Sequence, residues 1–173
     1  MGDTGTPPSG PADPWPEPAG APLSELYYLP LMRLAALLTG DPAAAEEVAA
    51  DSLAAVSGRD QGVSGTRGAS ACAADFVTRL QREVVTRSRR SRYYRRMARR
   101  RVVHPASWPE FAELPVVEAL RGLRASAREA VVLIHYLDLP AARAATIAGV
   151  TENALRANLA AAMSALVDQL PAT

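Results

Sequence analysis

Apolar residues recur every three to four positions in several stretches of the chain, which is the spacing of one face of an α-helix. One such stretch covers residues 23–38, and a second runs over residues 42–56. Between them, Gly40 suits the end of a helix, Asp41 can cap the start of the next and Pro42 fits its first position. The pattern predicts two helices joined by a tight turn.

A third apolar stripe begins near Ala69, after a predicted loop at residues 58–68 that contains four glycines. The stripe ends near Val84, and no comparable stripe continues through residues 87–101, where arginines are frequent. We expect a helix that packs through its first half and offers its polar second half to solvent or a ligand. The residues that it is predicted to bury are Ala73, Phe76, Val77, Leu80 and Val84.

The last third of the chain predicts shorter helices. Pro115 can start one that ends near Leu123, and the capping-box sequence at residues 126–129 opens another that runs to about Leu137. A helix-turn-helix pattern follows at residues 141–170, with small alanines in its first helix, a glycine in the turn and a threonine before the second helix. The predicted buried residues of this pattern are Ala145, Ile147, Val150, Leu155, Leu159 and Met163.

These elements predict an all-α fold with two small helical domains, at residues 23–101 and 115–173. A proline-containing linker at residues 102–114 joins them. Residues 1–22 contain seven prolines and little to bury, so we expect an acidic, disordered tail. The chain has thirty-five alanines, which favour helix but bury little area, in keeping with small helical units rather than one deep core.

Positive charge is concentrated in one segment of the chain. Residues 79–101 contain eleven arginines and a single acid, Glu83, whereas the remainder has eight arginines and seventeen acids. A segment of net charge +10 is thus nearly cancelled by a remainder of −9. This segregation favours a polyanionic partner over a merely solvated helix face.

Several other function classes are not supported by the sequence. The single cysteine cannot form an internal disulfide, and neither a secretory signal nor an apolar run long enough for a membrane span is present, so we expect a cytoplasmic protein without membrane insertion. His104 and His135 lie far apart with no ligand pattern around them, so neither a metal nor a cofactor is expected. Without a phosphate-binding loop or a nucleophile paired with a histidine, no enzyme is predicted.

Three sequence stretches carry a resemblance to a known family. LMRLAALLTGDPAAAEEVAADSL at 31–53 and FVTRLQREVVTRSRR at 76–90 resemble the promoter-melting domain (region two) of bacterial sigma factors. GLRASAREAVVLIHYLDL at 122–139 resembles the opening of their second domain (region four). In order and spacing the chain is similar to sigma factors of the extracytoplasmic-function type, in the form common in actinobacteria, over about residues 23–101 and 115–170.

The resemblance implies a subunit that directs RNA polymerase to promoters and initiates transcription by capturing the melted DNA strand. Its implied partners are core RNA polymerase and promoter DNA, and an anti-sigma factor is a further partner by family habit. The residues implied to contact the minus-ten region and the melted strand are Arg59, Arg67, Phe76, Arg79, Arg82, Arg87, Arg89, Arg90 and Arg92.

The resemblance assigns two further surfaces. Glu46, Glu47 and Asp51 on the second helix are implied to bind the polymerase. The residues implied to contact DNA from the helix-turn-helix are Glu152, Asn153, Arg156 and Asn158. Because residues 115–173 carry five arginines and five acids, this second DNA reader is electrostatically weak.

Two alternatives stay open on the sequence. A degenerate sigma-like regulator would bind polymerase or another sigma factor without driving initiation itself. An unrelated membrane-surface or RNA-binding protein could use the same arginine-rich helix, although the lack of an apolar stripe beyond residue 86 argues against membrane insertion.

Overall fold

A computed structural model describes residues 23–60, 69–97 and 115–169, and the regular elements in these ranges are all helices. The predicted all-α fold is therefore confirmed. None of the described helices combines the length and the apolar character needed to cross a bilayer. The helices are α1 Leu23–Thr39, α2 Pro42–Asp60, α3 Ala69–Met97, α4 Pro115–Gly122, α5 Ala125–Val131, α6 Ala141–Ala148 and α7 Glu152–Gln169, and α5 continues as a π-helical turn, Val132–Tyr136.

The turn between α1 and α2 forms as the sequence predicts. Gly40 adopts a left-handed conformation with φ of 70°, and its N–H donates to the carbonyl of Ala36 at 2.8 Å. The Asp41 carboxylate caps α2 by accepting hydrogen bonds from the N–H groups of Ala43 at 3.0 Å and Ala44 at 3.2 Å. Both ends of the turn are thus satisfied by local hydrogen bonds.

The apolar faces of α1, α2 and α3 pack against one another. Of the residues that the third apolar stripe is predicted to bury, Phe76, Leu80 and Val84 are buried and Val77 is half-buried, whereas the side chain of Ala73 lies outside the described residues. Pro30 lies inside α1 and does not end it. The largest apolar side chains that are fully buried here are Tyr27, Leu31, Leu34, Leu38, Val56, Leu80, Val84 and Val85.

Helix α2 continues to Asp60, so the predicted end near Val56 and loop start at residue 58 are wrong. Val56 is buried, and this packing supports the last turn of the helix despite the glycine that follows at residue 58. Tertiary contacts of this kind routinely override the weak helix propensity of a single glycine. The predicted loop residues 61–68 lie outside the described residues.

The predicted capping box at residues 126–129 is also wrong. Helix α5 begins at Ala125 with Arg124 as its N-cap, and no side chain caps it. Ser126 is exposed within the helix, and the Glu129 carboxylate pairs with Arg89 of α3 instead of reaching back to the helix start. A partner forty residues away in sequence thus replaces the local hydrogen bond.

Helices α6 and α7 form the predicted helix-turn-helix. Gly149 ends α6 in a left-handed conformation with φ of 64°, and the Thr151 hydroxyl accepts a hydrogen bond from the N–H of Ala154 at 3.2 Å. Ala145, Ile147 and Leu155 are buried as predicted. Val150 and Met163 are instead 38% and 44% exposed, and Leu159 is only half-buried. Val150 lies in the turn between the two helices, and α7 buries only a narrow stripe, Leu155 and Ala162.

The helices form two groups that pack on each other: α1–α3, the first helical group, and α4–α7, the second helical group. Their buried apolar residues form one continuous cluster. Helix α6 lies on α3, and α4 and α5 lie on α1. We call this the closed arrangement; the division of the chain into two domains stays a prediction.

Candidate nucleic-acid interface

Helix α3 has a buried face and an arginine-bearing outer face. Its buried residues follow the helical repeat and are Phe76, Leu80, Gln81, Val84, Val85 and Ser88. Arg79, Arg82 and Arg90 recur at positions i, i+3 and i+11 on the opposite side, and all three are exposed. We call these three residues the outer arginines. They extend over about 16 Å of the helix, at 1.5 Å per residue.

Two of the outer arginines, Arg82 and Arg90, carry positive charge that the described part of the protein does not pair. The guanidinium groups of Arg82 and Arg90 make no hydrogen bond or ion pair with any other described residue. Arg79 donates from Nε to the carbonyl of Asp75 at 3.4 Å. A row of exposed guanidinium groups along one helix can contact successive phosphates of a nucleic acid strand.

Arg87 is engaged by the first helical group. Its Nε lies 3.0 Å from Oε1 of Glu83, and its Nη1 lies 3.4 Å from Oδ2 of Asp51 on α2. Asp51 therefore lies beside α3, whereas Glu46 and Glu47 are exposed on α2 and pair with no described residue. The three predicted polymerase-binding acids thus share one helix, and one of them contacts a predicted DNA-binding arginine.

Arg89 is engaged by the second helical group. Its Nε lies 3.1 Å from both carboxylate oxygens of Glu129, and its Nη2 lies 2.6 Å from Oε2. Nη2 also donates to the carbonyl of Ala148, at the end of α6, at 2.8 Å. The hydrogen bond that Arg89 donates to Glu129 raises the pKa of the Arg89 guanidinium above its usual value, against the opposing effect of partial burial.

The remaining predicted DNA contacts of the first helical group are either buried or outside the described residues. Phe76 is 6% exposed, and its ring centroid lies 5.5 Å from that of Tyr27, so in this structure the ring faces the core. The side chains of Arg59 and Arg92, and Arg67 as a whole, lie outside the described residues.

The predicted DNA-contacting residues of the helix-turn-helix lie at the start of α7. Asn153 and Arg156 are exposed, and Glu152 and Asn158 are half-buried. Arg156 forms an ion pair with Glu152, one turn before it. The charge of this arginine is thus balanced within its own helix, so the surface offers mainly hydrogen-bonding groups.

No family model matches the sequence, and no curated protein matches it. Among solved structures, the chain is similar to the sigma factor RpoE in its complex with the anti-sigma factor NepR from Bartonella quintana. The TM-score is 0.59 at 20% sequence identity, over 84% of this chain and 92% of that chain. The chain has a sigma-factor fold.

Two arginines of the second helical group contact the end of α1, a role that the sequence did not predict for them. Arg128 is buried and donates from Nη1 to the carbonyl of Leu38 at 3.1 Å, and Arg121 donates from Nε to the carbonyl of Gly40 at 2.9 Å. Both cap the carbonyl end of α1, where a cation is favoured. Arg143 of α6 likewise donates to the Thr78 hydroxyl of α3 at 2.7 Å.

Only one feature of the sequence could have indicated these contacts. Arg128 and Glu129 form a charged pair inside an otherwise apolar stretch, and charges inside such a stretch need partners. The sequence pattern does not say which partners. Among the described residues, no group of histidine, cysteine and acidic side chains could hold a metal ion.

Proposed function

We propose that this protein is a sigma factor of the extracytoplasmic-function type, which directs core RNA polymerase to promoters. The observation that carries the proposal is the row of outer arginines on α3, exposed in a sigma-factor fold. The outer arginines contact phosphates of promoter DNA, which fixes the position of the strand without reading its sequence.

Two other surfaces, on α2 and at the start of α7, have separate roles in the proposed function. Glu46 and Glu47 on α2 contact the polymerase, and the start of α7 contacts the upstream promoter element through Asn153, Arg156 and Asn158. Because Arg156 is paired with Glu152, it must exchange this partner before it can contact a phosphate. The upstream contact therefore contributes less affinity than the contact made by α3.

An anti-sigma factor is the third proposed partner. The support is that the similar solved structure is of a sigma factor in complex with an anti-sigma factor. Such a partner would hold this chain away from the polymerase until it is released.

The test is transcription in a reconstituted system. Purified full-length chain, its cognate core polymerase and fragments of the genome it comes from should yield discrete transcripts that depend on the chain. The variant R82E/R90E should bind core polymerase but give no such transcripts, because reversed charge repels the strand. The matched control R33E/R124E changes the net charge equally, at two exposed arginines off the proposed DNA surface, and should retain activity. Transcripts from R82E/R90E at the wild-type level would refute the role of the outer arginines.

A second candidate function is a sigma-like regulator that binds polymerase or another sigma factor without initiating. The observation in its favour is that Arg89 and Arg156, two predicted DNA contacts, are already paired with acids of the chain. The same reconstitution separates the two functions. A regulator would bind the polymerase, or a second sigma factor, and yield no transcripts with core enzyme alone.

A further inference from the structure

Glu129 is an acid in an unusual position, on the buried side of α5 facing the arginine-rich helix. Its side chain is 4% exposed, whereas that of its partner Arg89 is 45% exposed. We propose that Glu129 substitutes internally for a DNA phosphate: it binds the guanidinium of Arg89 and thereby holds the two helical groups in the closed arrangement. For its DNA-binding step this proposal rests on the proposed function.

The contact has the geometry by which arginine binds phosphates. Nε and Nη2 of Arg89 both point at the Glu129 carboxylate, with distances of 2.6 to 3.1 Å. Planar guanidinium groups bind carboxylates and phosphates with the same two-pronged arrangement. A carboxylate and a phosphate therefore compete for the same donors, and Arg89 cannot serve both in full.

Arg89 lies where a strand bound to the outer arginines would pass. It follows Arg82 by seven residues, which is about two helical turns, and directly precedes Arg90. A strand that runs along the outer face of α3 therefore meets Arg89 between two exposed arginines. In the closed arrangement, Glu129 and the end of α6 are already bound at this position.

Releasing Arg89 requires the helical groups to separate. If Arg89 alone turned away, the Glu129 carboxylate would stay buried and lose the three hydrogen bonds that Arg89 donates to it, which is strongly unfavourable for a buried charge. The carbonyl of Ala148 would lose a donor at the same time. Separation exposes Glu129 to water and removes this penalty, so binding of Arg89 to a phosphate is coupled to opening.

The coupling has a quantitative consequence. A ligand that binds only the open arrangement has an apparent dissociation constant equal to its intrinsic value divided by the open fraction. Weakening the ion pair from the side of Glu129 therefore increases DNA affinity, although Glu129 makes no contact with DNA. Replacing Arg89 also weakens the ion pair and opens the protein, but it removes a phosphate contact at the same time.

The experiment measures closure and DNA binding separately on the full-length chain. Spin labels are attached at two exposed positions through the substitutions A54C on α2 and S164C on α7, in a C72S background. They report the distance between the two helical groups. The variant E129Q keeps the shape of the side chain and removes its charge, R89Q removes the other partner, and D168N is a control of equal charge change at an exposed residue. Circular dichroism confirms that each variant is folded.

We expect a single narrow distance distribution for the wild type and for D168N, and a longer, broader one for E129Q and R89Q. Unlabelled E129Q should bind forked DNA about three to ten times more tightly than the wild type, with D168N unchanged and R89Q not improved. A wild-type distance distribution in E129Q would overturn the proposal, and so would opening of E129Q without any gain in DNA affinity while the wild type binds DNA. If no variant binds DNA, the proposed function fails, and the distance distributions alone decide whether the ion pair closes the protein.

Discussion

Gly40, in the turn after α1, lies directly against the guanidinium of Arg128 in α5, which donates to the carbonyl of Leu38 ninety residues earlier in the chain. A Cβ atom added at Gly40 would lie 2.9 Å from Nη1 of Arg128 and 3.1 Å from Cγ of Arg121. The same glycine has a φ of 70°, which side-chain-bearing residues rarely adopt. Gly40 therefore serves both the turn after α1 and the approach of the second helical group.

The variant G40A should lower the free energy of unfolding by about 2–4 kcal/mol, because left-handed backbone and the close contact add together. The matched control is G149A, since Gly149 has a φ of 64° but nothing within 4 Å of an added Cβ atom. G149A should therefore lose only about 1–2 kcal/mol, the cost of the backbone conformation. Denaturant unfolding of both variants measures the difference, and equal losses would show that the contact with Arg128 has no energetic weight.

Arg128 should not tolerate replacement by lysine. Its guanidinium donates to the carbonyls of Leu38, Arg121 and Leu123 at 3.1, 2.8 and 3.3 Å, and a single ammonium cannot reach three acceptors in this spread. We expect R128K to lose about 2–4 kcal/mol of stability, since buried carbonyls would be left without donors. R124K, at an exposed arginine of the same segment, should stay within about 0.5 kcal/mol of the wild type in the same unfolding measurement. A loss in R128K no larger than in R124K would argue against this role.

Whether a feature of the fold could be predicted from the sequence depends on how near in the chain its hydrogen-bond partners lie. The turn at Gly40 and Asp41 and the cap at Thr151 were predicted because their hydrogen-bond partners lie within four residues. The capping box with Glu129 failed because a distant arginine competes for the same carboxylate. A local motif states what a side chain can bind, and the tertiary fold decides what it does bind.

The candidate site, too, could be predicted from the sequence only in part. The apolar stripe of α3 gives its buried face, and by elimination the outer side of Arg79, Arg82 and Arg90. Periodicity does not indicate what packs against the edges of that face. Arg87 and Arg89 lie at these edges, and only the structure shows that α2 engages the first and α5 the second.

The salt dependence of DNA binding should identify which arginines contact phosphates. The logarithm of the binding constant falls with the logarithm of salt concentration by about 0.9 per phosphate contact on duplex DNA. The variant R82Q/R90Q should therefore reduce this slope by about 1.5–2. R33Q/R124Q, which changes the net charge equally at exposed residues elsewhere, should leave the slope nearly unchanged. Titration of a labelled promoter fork from low to moderate salt provides both slopes, and parallel lines for the two variants would contradict phosphate contact by Arg82 and Arg90.

Tyr136 should make the stability of the protein dependent on alkaline pH. Burial in the π-helical turn raises the pKa of its phenol above the usual value of 10.0, and the nearby charge of Arg33 opposes this shift only in part. The folded state thus holds the proton more strongly than the unfolded state does. Its contribution is fully present below the unfolded pKa of about 10 and is lost as the pH rises through the folded pKa. The chain contains no lysine, so the other groups that titrate in this window are mainly its four other tyrosines.

The variant Y136F removes this proton and should be less sensitive to pH than the wild type. Its free energy of unfolding relative to the wild type should be constant up to about pH 9.5 and should then shift in favour of Y136F as the wild type loses stability. Denaturant unfolding at intervals between pH 8 and 11.5 measures the difference, and the absorbance at 295 nm that the wild type has in excess of Y136F follows phenolate formation at Tyr136. R33Q provides the opposite control, because loss of the positive charge should raise the pKa of Tyr136 further and move the absorbance change to higher pH. A constant difference between Y136F and the wild type over the whole range would mean that Tyr136 ionises as freely in the folded protein as in the unfolded chain.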